Sequence, residues 1–210
     1  MTRSRLELAL ALGLLFAILS IHVSSPAPAL AVERGTVEQH SMAEDAIAQF
    51  VRAGLSLPPV VVEFVGPSLE PCGGARAKTH LDRDPHVVSV CWGDPYVLLH
   101  ELAHVWIFRA ASDEQKVTFM GLREDVRAWA ASTDGWEDQG REHAANVIAW
   151  GLMEKPIVVS RTYPNDRASL VSAFKGLTGI QPIHTSGGEP VLMDRSSFSS
   201  HGAESLESGR

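Results

Sequence analysis

The residues best suited to chemistry stand in one short stretch, where His100, Glu101 and His104 follow the spacing H-E-x-x-H. On a helix, residues four apart lie on one face about a turn from each other, so the two imidazoles could bind the same metal ion. Glu101 would project beside that ion, where a carboxylate can take a proton from water. The pattern predicts a hydrolytic centre with one zinc ion per chain, two histidine ligands and Glu101 as general base.

The sequence around this motif is apolar on nearly every side of the predicted helix, from Tyr96 to Phe108. A helix that is apolar all round is buried, and buried imidazole and carboxylate groups are costly without a partner. A pattern with three fixed positions can also arise by chance, and the histidines would then be ordinary core or helix residues. The apolar setting favours the metal site.

A catalytic zinc ion needs a third protein ligand and an open position for water. The downstream candidates are acidic and histidine side chains, namely Glu137, Asp138, Glu142, His143, His184 and His201. Glu142 is favoured because it begins an apolar helix in which Asn146 follows four residues later, where an amide could hold the outer N–H of a ligating histidine. His143, about 100° further round the helix, is the alternative ligand. A glutamate there could also simply interact with the helix dipole.

The N-terminus predicts export. Arg3 and Arg5 precede an apolar run over 6–23, and Ala29-Leu30-Ala31 supplies an A-x-A pattern. This order is typical of a signal peptide over residues 1–31, cleaved before Val32. The alternative is an uncleaved membrane anchor, because a run of about 18 residues is the shortest that spans a bilayer. In both cases the rest of the chain is secreted or otherwise lies outside the cytoplasm, and it meets a membrane only if the segment stays attached.

Two cysteines occur, Cys72 and Cys91, and both follow the predicted cleavage point. In an oxidising compartment an even pair predicts one disulfide, although two unrelated thiols are the alternative. The formal net charge is −7, and no run of Lys and Arg is interleaved with aromatic residues. Nucleic acid is therefore not an expected partner.

Length and pattern predict one domain over residues 32–186, followed by a disordered Ser-, Gly- and Glu-rich tail over 187–210. Ser41, with Glu44 three residues later, predicts the start of a first helix that runs to about residue 55. Two β-branched runs predict strands, with a turn-rich segment between them. The predicted elements after the first helix are strands 60–65 and 86–92, and helices 95–111, 113–132, a helix from 141 that ends before Pro156, and 167–177.

The motif at 100–104, together with Glu142 and Asn146, resembles the active-site pattern of the zincin metallopeptidases. Within them it is similar to the branch with a glutamate as third ligand, the gluzincins typified by thermolysin. Those enzymes have an acid where this chain has Asn146. The third histidine of the metzincin motif is absent, because Ala110 stands in its place. The resemblance covers residues 60 to 155.

The resemblance implies an α+β, zincin-like fold, in which a small antiparallel or mixed sheet packs on a buried active-site helix and a further helix carries the third ligand. It implies an exported bacterial peptidase whose partner is a peptide or protein substrate. That substrate would lie along an edge strand, for which strand 86–92 is the candidate. Such enzymes add a donor for the oxyanion, and Tyr163 or His184 could supply it.

Two other functions are compatible with these residues. The first is an inactive zincin-like binding module of the cell envelope, because thermolysin-like enzymes have a further C-terminal domain and little sequence follows Leu177. The second is metal-dependent hydrolysis of a non-peptide amide, such as a cell-wall linkage. An intact Glu101 favours an active enzyme, since a structural zinc ion would not need a general base.

Overall fold

A small four-stranded sheet carries the predicted active-site helix on its surface. The computed structural model describes residues 30–66, 68, 70–123, 126–130, 139–153, 157–159, 164–183 and 191–193. In order along the chain, its elements are β1 (Leu30–Glu33), α1 (Val37–Arg52), β2 (Val60–Phe64), β3 (Ala77–His80), β4 (His86–Val90), α2 (Pro95–Ala110), α3 (Asp113–Gly121), α4 (Gly140–Leu152), β5 (Ile157–Val159), α5 (Arg167–Thr178) and β6 (Val191–Met193).

The sheet is mixed, with strand order β1-β2-β4-β3. β1, β2 and β4 run parallel to one another, and β3 runs antiparallel to β4. The prediction of an α+β chain with a small mixed sheet is confirmed. The strands at 60–64 and 86–90 match the predicted ones to within two residues, because their β-branched side chains pack into the core on the inner positions.

Strand β3 was not predicted, because its sequence lies in a segment rich in turn-forming residues. It forms through pairing with β4, in a register that sets Ala77 opposite Val90 and Thr79 opposite Val88. β4 therefore has a hydrogen-bonded neighbour on each side. The expectation that strand 86–92 offers its edge to a substrate is wrong, and β3 is the edge strand at that side of the described sheet.

Helix α2 begins as predicted. The Asp94 side chain accepts a hydrogen bond of 2.9 Å from the backbone N–H of Val97, and Pro95 occupies the first turn. The helix is buried along most of its length, with Leu98, Leu102 and others fully inaccessible to solvent. It packs against β3 and β4 and, most extensively, against α4. This pairing of α2 with α4 brings the two predicted ligand segments together.

Helix α1 starts earlier than predicted. Thr36 caps it, and Gln39 completes the capping box by accepting a 2.8 Å hydrogen bond from the Thr36 backbone N–H. Ser41 and Glu44 lie inside the helix instead of at its start. The apolar spacing misplaced the start because the first turn faces solvent, where Val37 is 81% exposed.

Helix α3 is shorter than predicted. It begins at Asp113 as predicted, with Ser112 as its cap, but it ends at Gly121 and residues 126–130 are not helical. Arg123 is buried and donates a 2.6 Å hydrogen bond to the Pro164 carbonyl, and Ala128 accepts from the Gly140 backbone N–H. These contacts turn the chain towards α4. Residues 124–125 and 131–138 lie outside the described residues.

The C-terminal part adds helix α5, which matches the predicted helix 167–177 to within one residue and is capped by Asp166. It also adds a two-stranded parallel pair formed by β5 and β6. α5 packs against α3 and α4. Strand β6 falls within the predicted tail, whose other residues lie outside the described ones, as do residues 1–29 of the predicted signal peptide.

Cys72 and Cys91 form a disulfide, as predicted. The bond ties the turn after β2 to the end of β4, and it indicates an oxidising, extracytoplasmic environment. Across the described stretches, no helix combines the length and apolarity needed to cross a membrane.

Candidate metal centre

Three side chains meet where α2 crosses α4. The Nε2 atoms of His100 and His104 are 3.1 Å apart, and Oε2 of Glu142 lies 3.3 Å from each of them. The three atoms form a nearly equilateral triangle. Among the described residues this group could hold a metal ion, since each side chain offers one ligand atom.

Because the three side chains are buried together, the charges of their neighbours affect the pKa values of Glu142 and His100. Side-chain exposure is 9% for His100, 14% for His104 and 9% for Glu142. Burial alone would raise the pKa of the Glu142 carboxyl, but hydrogen bonds and charge from the two histidines hold that pKa well below its usual range. Burial alone would lower the pKa of His100, and Glu142, with Glu101, raises it instead. The Glu142 carboxyl is therefore ionised beside the two imidazoles.

Asn146 holds the outer side of His100. Its Oδ1 lies 2.8 Å from Nδ1 of His100 and 2.5 Å from the hydroxyl of Tyr96, which donates to it. Because a carbonyl oxygen only accepts, Nδ1 of His100 carries a proton and Nε2 is the nitrogen available to a metal ion. Asn146 therefore contacts the outer nitrogen of a histidine of the cluster, as its spacing from Glu142 predicted.

Glu101 does not join the triangle. Its Oε2 accepts a 2.6 Å hydrogen bond from the hydroxyl of Thr79, whose oxygen also lies 3.0 Å from the Glu101 carbonyl. Thr79 belongs to β3, so the edge strand holds the carboxylate beside the cluster. Glu101 is partly exposed, as a group that exchanges protons with water must be.

Glu142 has a second neighbour. Its Oε1 lies 3.3 Å from Nε of Arg141, whose side chain is 49% exposed. One carboxylate oxygen of Glu142 thus lies near the histidines and the other near a half-exposed cation. Gln139 accepts a 2.9 Å hydrogen bond from the same Nε.

The other predicted site residues do not join this group. His143 is fully buried on α4 and is not part of the cluster that could hold a metal ion. Tyr163 and His184, the candidate oxyanion donors, lie outside the described residues, as do the remaining third-ligand candidates, Glu137, Asp138 and His201.

Tyr96 and Thr79 are neighbours of the site that the sequence did not single out. Tyr96 stands four residues before His100, and this spacing on one helical face was a readable signal. Thr79 had no such signal, because its position depends on a strand that pairs with β4 and was not predicted.

Comparison with known proteins gives no match: no family model, curated protein or solved structure matches the chain.

Proposed function

We propose that the chain is an exported zinc-dependent peptidase of the gluzincin type. The observation that carries the proposal is the triangle of His100 Nε2, His104 Nε2 and Glu142 Oε2, with edges of 3.1 to 3.3 Å. A tetrahedral zinc ion bound at about 2.0 Å requires ligand atoms about 3.3 Å apart. Two imidazoles and one carboxylate also form a donor set that leaves a fourth position for water, as catalytic zinc sites have.

The proposed chemistry assigns one task to each side chain. A zinc ion held by the triangle would polarise a carbonyl group and acidify a water molecule. Glu101 accepts a proton from the attacking water and passes it to the leaving amine. Thr79 fixes the direction of the Glu101 carboxylate through its 2.6 Å hydrogen bond. Asn146 keeps His100 in the tautomer that frees Nε2.

The proposed substrate is an extended peptide that adds to the edge of β3. This strand pairs only with β4 in the described sheet, and α2 packs against it. A peptide paired with β3 would pass the side of α2 that carries Glu101. The disulfide supports the extracytoplasmic part of the proposal.

The test measures bound zinc and hydrolysis of casein in the purified protein and three variants. Wild type is expected to bind one zinc ion and to cleave casein. Glu142→Gln keeps the side-chain shape but replaces the carboxylate, and we expect it to lose zinc. Glu101→Gln should retain zinc and lose hydrolysis. Glu44→Gln makes the same change at an exposed position on α1 and is the matched control.

Each outcome separates the alternatives. A wild type that binds no zinc would overturn the proposal. A zinc-loaded wild type that cleaves no protein but releases fragments from peptidoglycan would favour the cell-wall amidase, and one that cleaves neither would favour the binding module. Full zinc occupancy in Glu142→Gln would show that the third ligand lies elsewhere.

A further inference from the structure

Tyr96 connects the two helices of the candidate metal centre without touching a possible metal position. It lies one turn before His100 on α2, with the two rings 6.3 Å apart. Its hydroxyl donates to Oδ1 of Asn146 on α4, the same oxygen that faces Nδ1 of His100. Tyr96 is buried, and its hydroxyl is the donor in the hydrogen bond to Asn146, whose Oδ1 can only accept.

The amide of Asn146 has two possible orientations with opposite consequences for His100. With Oδ1 towards the ring, Nδ1 donates and Nε2 is left for a metal ion. With Nδ2 towards the ring, Nδ1 would have to accept, the proton would move to Nε2, and that nitrogen could not bind. An acid at this position would have no such ambiguity, because both of its oxygens accept.

Because of the Tyr96 hydroxyl, the two orientations of the amide differ in the number of buried polar groups that lack a hydrogen-bond partner. In the observed one, Oδ1 receives two hydrogen bonds, and the buried Nδ2 of Asn146 has no partner among the described residues. In the reversed one, Oδ1 would take that unpartnered place and the Tyr96 proton would also lose its acceptor. The observed orientation therefore has one unsatisfied buried group fewer. With phenylalanine at this position the two orientations would leave equal numbers unsatisfied.

We propose that Tyr96 is a positioning residue for the metal centre, which fixes the amide of Asn146 so that His100 presents an unprotonated Nε2. This inference rests on the proposed zinc site. The Tyr96 and Asn146 pair then takes the place of the acid that holds the histidine in thermolysin-like sites, and it does so without adding a negative charge to the buried cluster.

The test is a double-mutant cycle on zinc affinity, measured by competition with a chelator of known affinity. Tyr96→Phe is expected to weaken zinc binding about tenfold, since outer hydrogen-bond partners of metal ligands typically contribute this much. In an Asn146→Asp background the carboxylate accepts in either orientation, so the same Tyr96→Phe change should weaken binding less than about threefold. A loss of zinc affinity that occurs with Asn146 and not with aspartate at that position cannot come from the packing of the Tyr96 ring alone.

Two comparisons complete the experiment. Thr79→Val removes another hydroxyl near the site, one that contacts Glu101 and no residue of the triangle, and its zinc affinity should equal that of wild type. Circular dichroism and the thermal midpoint, recorded on each variant, establish that it is folded. An equal loss with Asn146 present and in the Asn146→Asp background, or no loss in either, overturns the role of Tyr96. Absence of zinc from wild type instead overturns the zinc site itself.

Discussion

Thr79 is a residue whose task follows from a single hydrogen bond. Its hydroxyl lies 2.6 Å from Oε2 of Glu101, and it reaches there from the opposite layer of the fold. A carboxylate held on one side keeps its other oxygen directed towards water, whereas a free one samples several rotamers. The proton transfer proposed for Glu101 should therefore depend on a hydroxyl group that is not itself a ligand of the metal ion.

We predict that Thr79→Val lowers kcat for casein by about tenfold to a hundredfold, because a misplaced catalytic group is inefficient even when present. Zinc content should not change, since Thr79 contacts none of the three ligands. The measurement is steady-state hydrolysis with parallel metal analysis. Thr178→Val removes a hydroxyl that donates to the Phe174 carbonyl on α5 and should leave kcat unaltered. Equal rates for the Thr79 variant and wild type would show that Glu101 orients itself.

At the residue scale, sequence could predict what lies within one helix. His100, Glu101 and His104 lie close together in sequence, and the four-residue spacing of Glu142 and Asn146 also places these two residues on one face of a helix. Glu142 was favoured over His143 because Asn146 follows it by four residues on the same helical face, and the structure brings Glu142 to the histidines. The contact between Thr79 and Glu101 joins a strand to a helix, so no local pattern contains it.

Between elements, helices α4 and α5 approach each other closely at Gly151. A Cβ atom built on Gly151 would lie 2.3 Å from the ring of Phe174, which is fully buried and cannot move aside. Gly176, on α5, differs: the nearest contact of its Cβ would be the end of the Leu122 side chain at 3.0 Å. Leu122 is 38% exposed and can yield.

We predict that Gly151→Ala lowers the free energy of unfolding by about 1 to 3 kcal/mol, as overpacking of a core does. Gly176→Ala, the matched control, should be neutral or slightly stabilising, because alanine favours the helix. Both are measured by urea denaturation. Combining Gly151→Ala with Phe174→Leu should cost less than the sum of the two changes, since the smaller side chain makes room. Additive losses would place the strain elsewhere.

Helix starts illustrate what sequence could and could not supply at this scale. The helix starts that follow Asp94, Ser112 and Asp166 were predicted, because in each case a residue able to cap a helix precedes an apolar repeat. The cap at Thr36 was missed because the turn after it is exposed. The end of α3 was missed because Arg123 turns inward to a carbonyl 41 residues away in sequence.

For the whole molecule, the disulfide is a covalent link that joins Cys72 and Cys91, two residues 19 apart in sequence, and closes the segment between them. That segment contains β3 and β4, and hence the strand that holds Glu101 in place. We predict that the double change Cys72→Ala and Cys91→Ala lowers the free energy of unfolding by about 3 kcal/mol, as the entropy of a loop of this length implies.

Reductant should destabilise wild type by a similar amount and leave the double variant unaffected, and denaturation with and without dithiothreitol measures both. Identical stability of the two proteins would mean that strand pairing alone organises this region.

The coarse fold could be predicted from sequence because helices and buried strands have strong local periodicity. The order of strands in the sheet could not, since it depends on pairing across distant segments.

The register of β3 against β4 selects the chemical group that faces the carboxylate of Glu101. Thr79 stands opposite Val88, and backbone N–H groups of Cys91 and Trp92 both donate to the Arg76 carbonyl, which fixes this alignment. Side chains of a strand alternate between its faces, so a shift by one residue would replace the hydroxyl with the side chain of Lys78 or of His80, according to its direction. An ammonium in contact with Glu101 would stabilise the ionised carboxylate and make it a weaker proton acceptor, so a slip that placed Lys78 there would weaken the proposed catalyst.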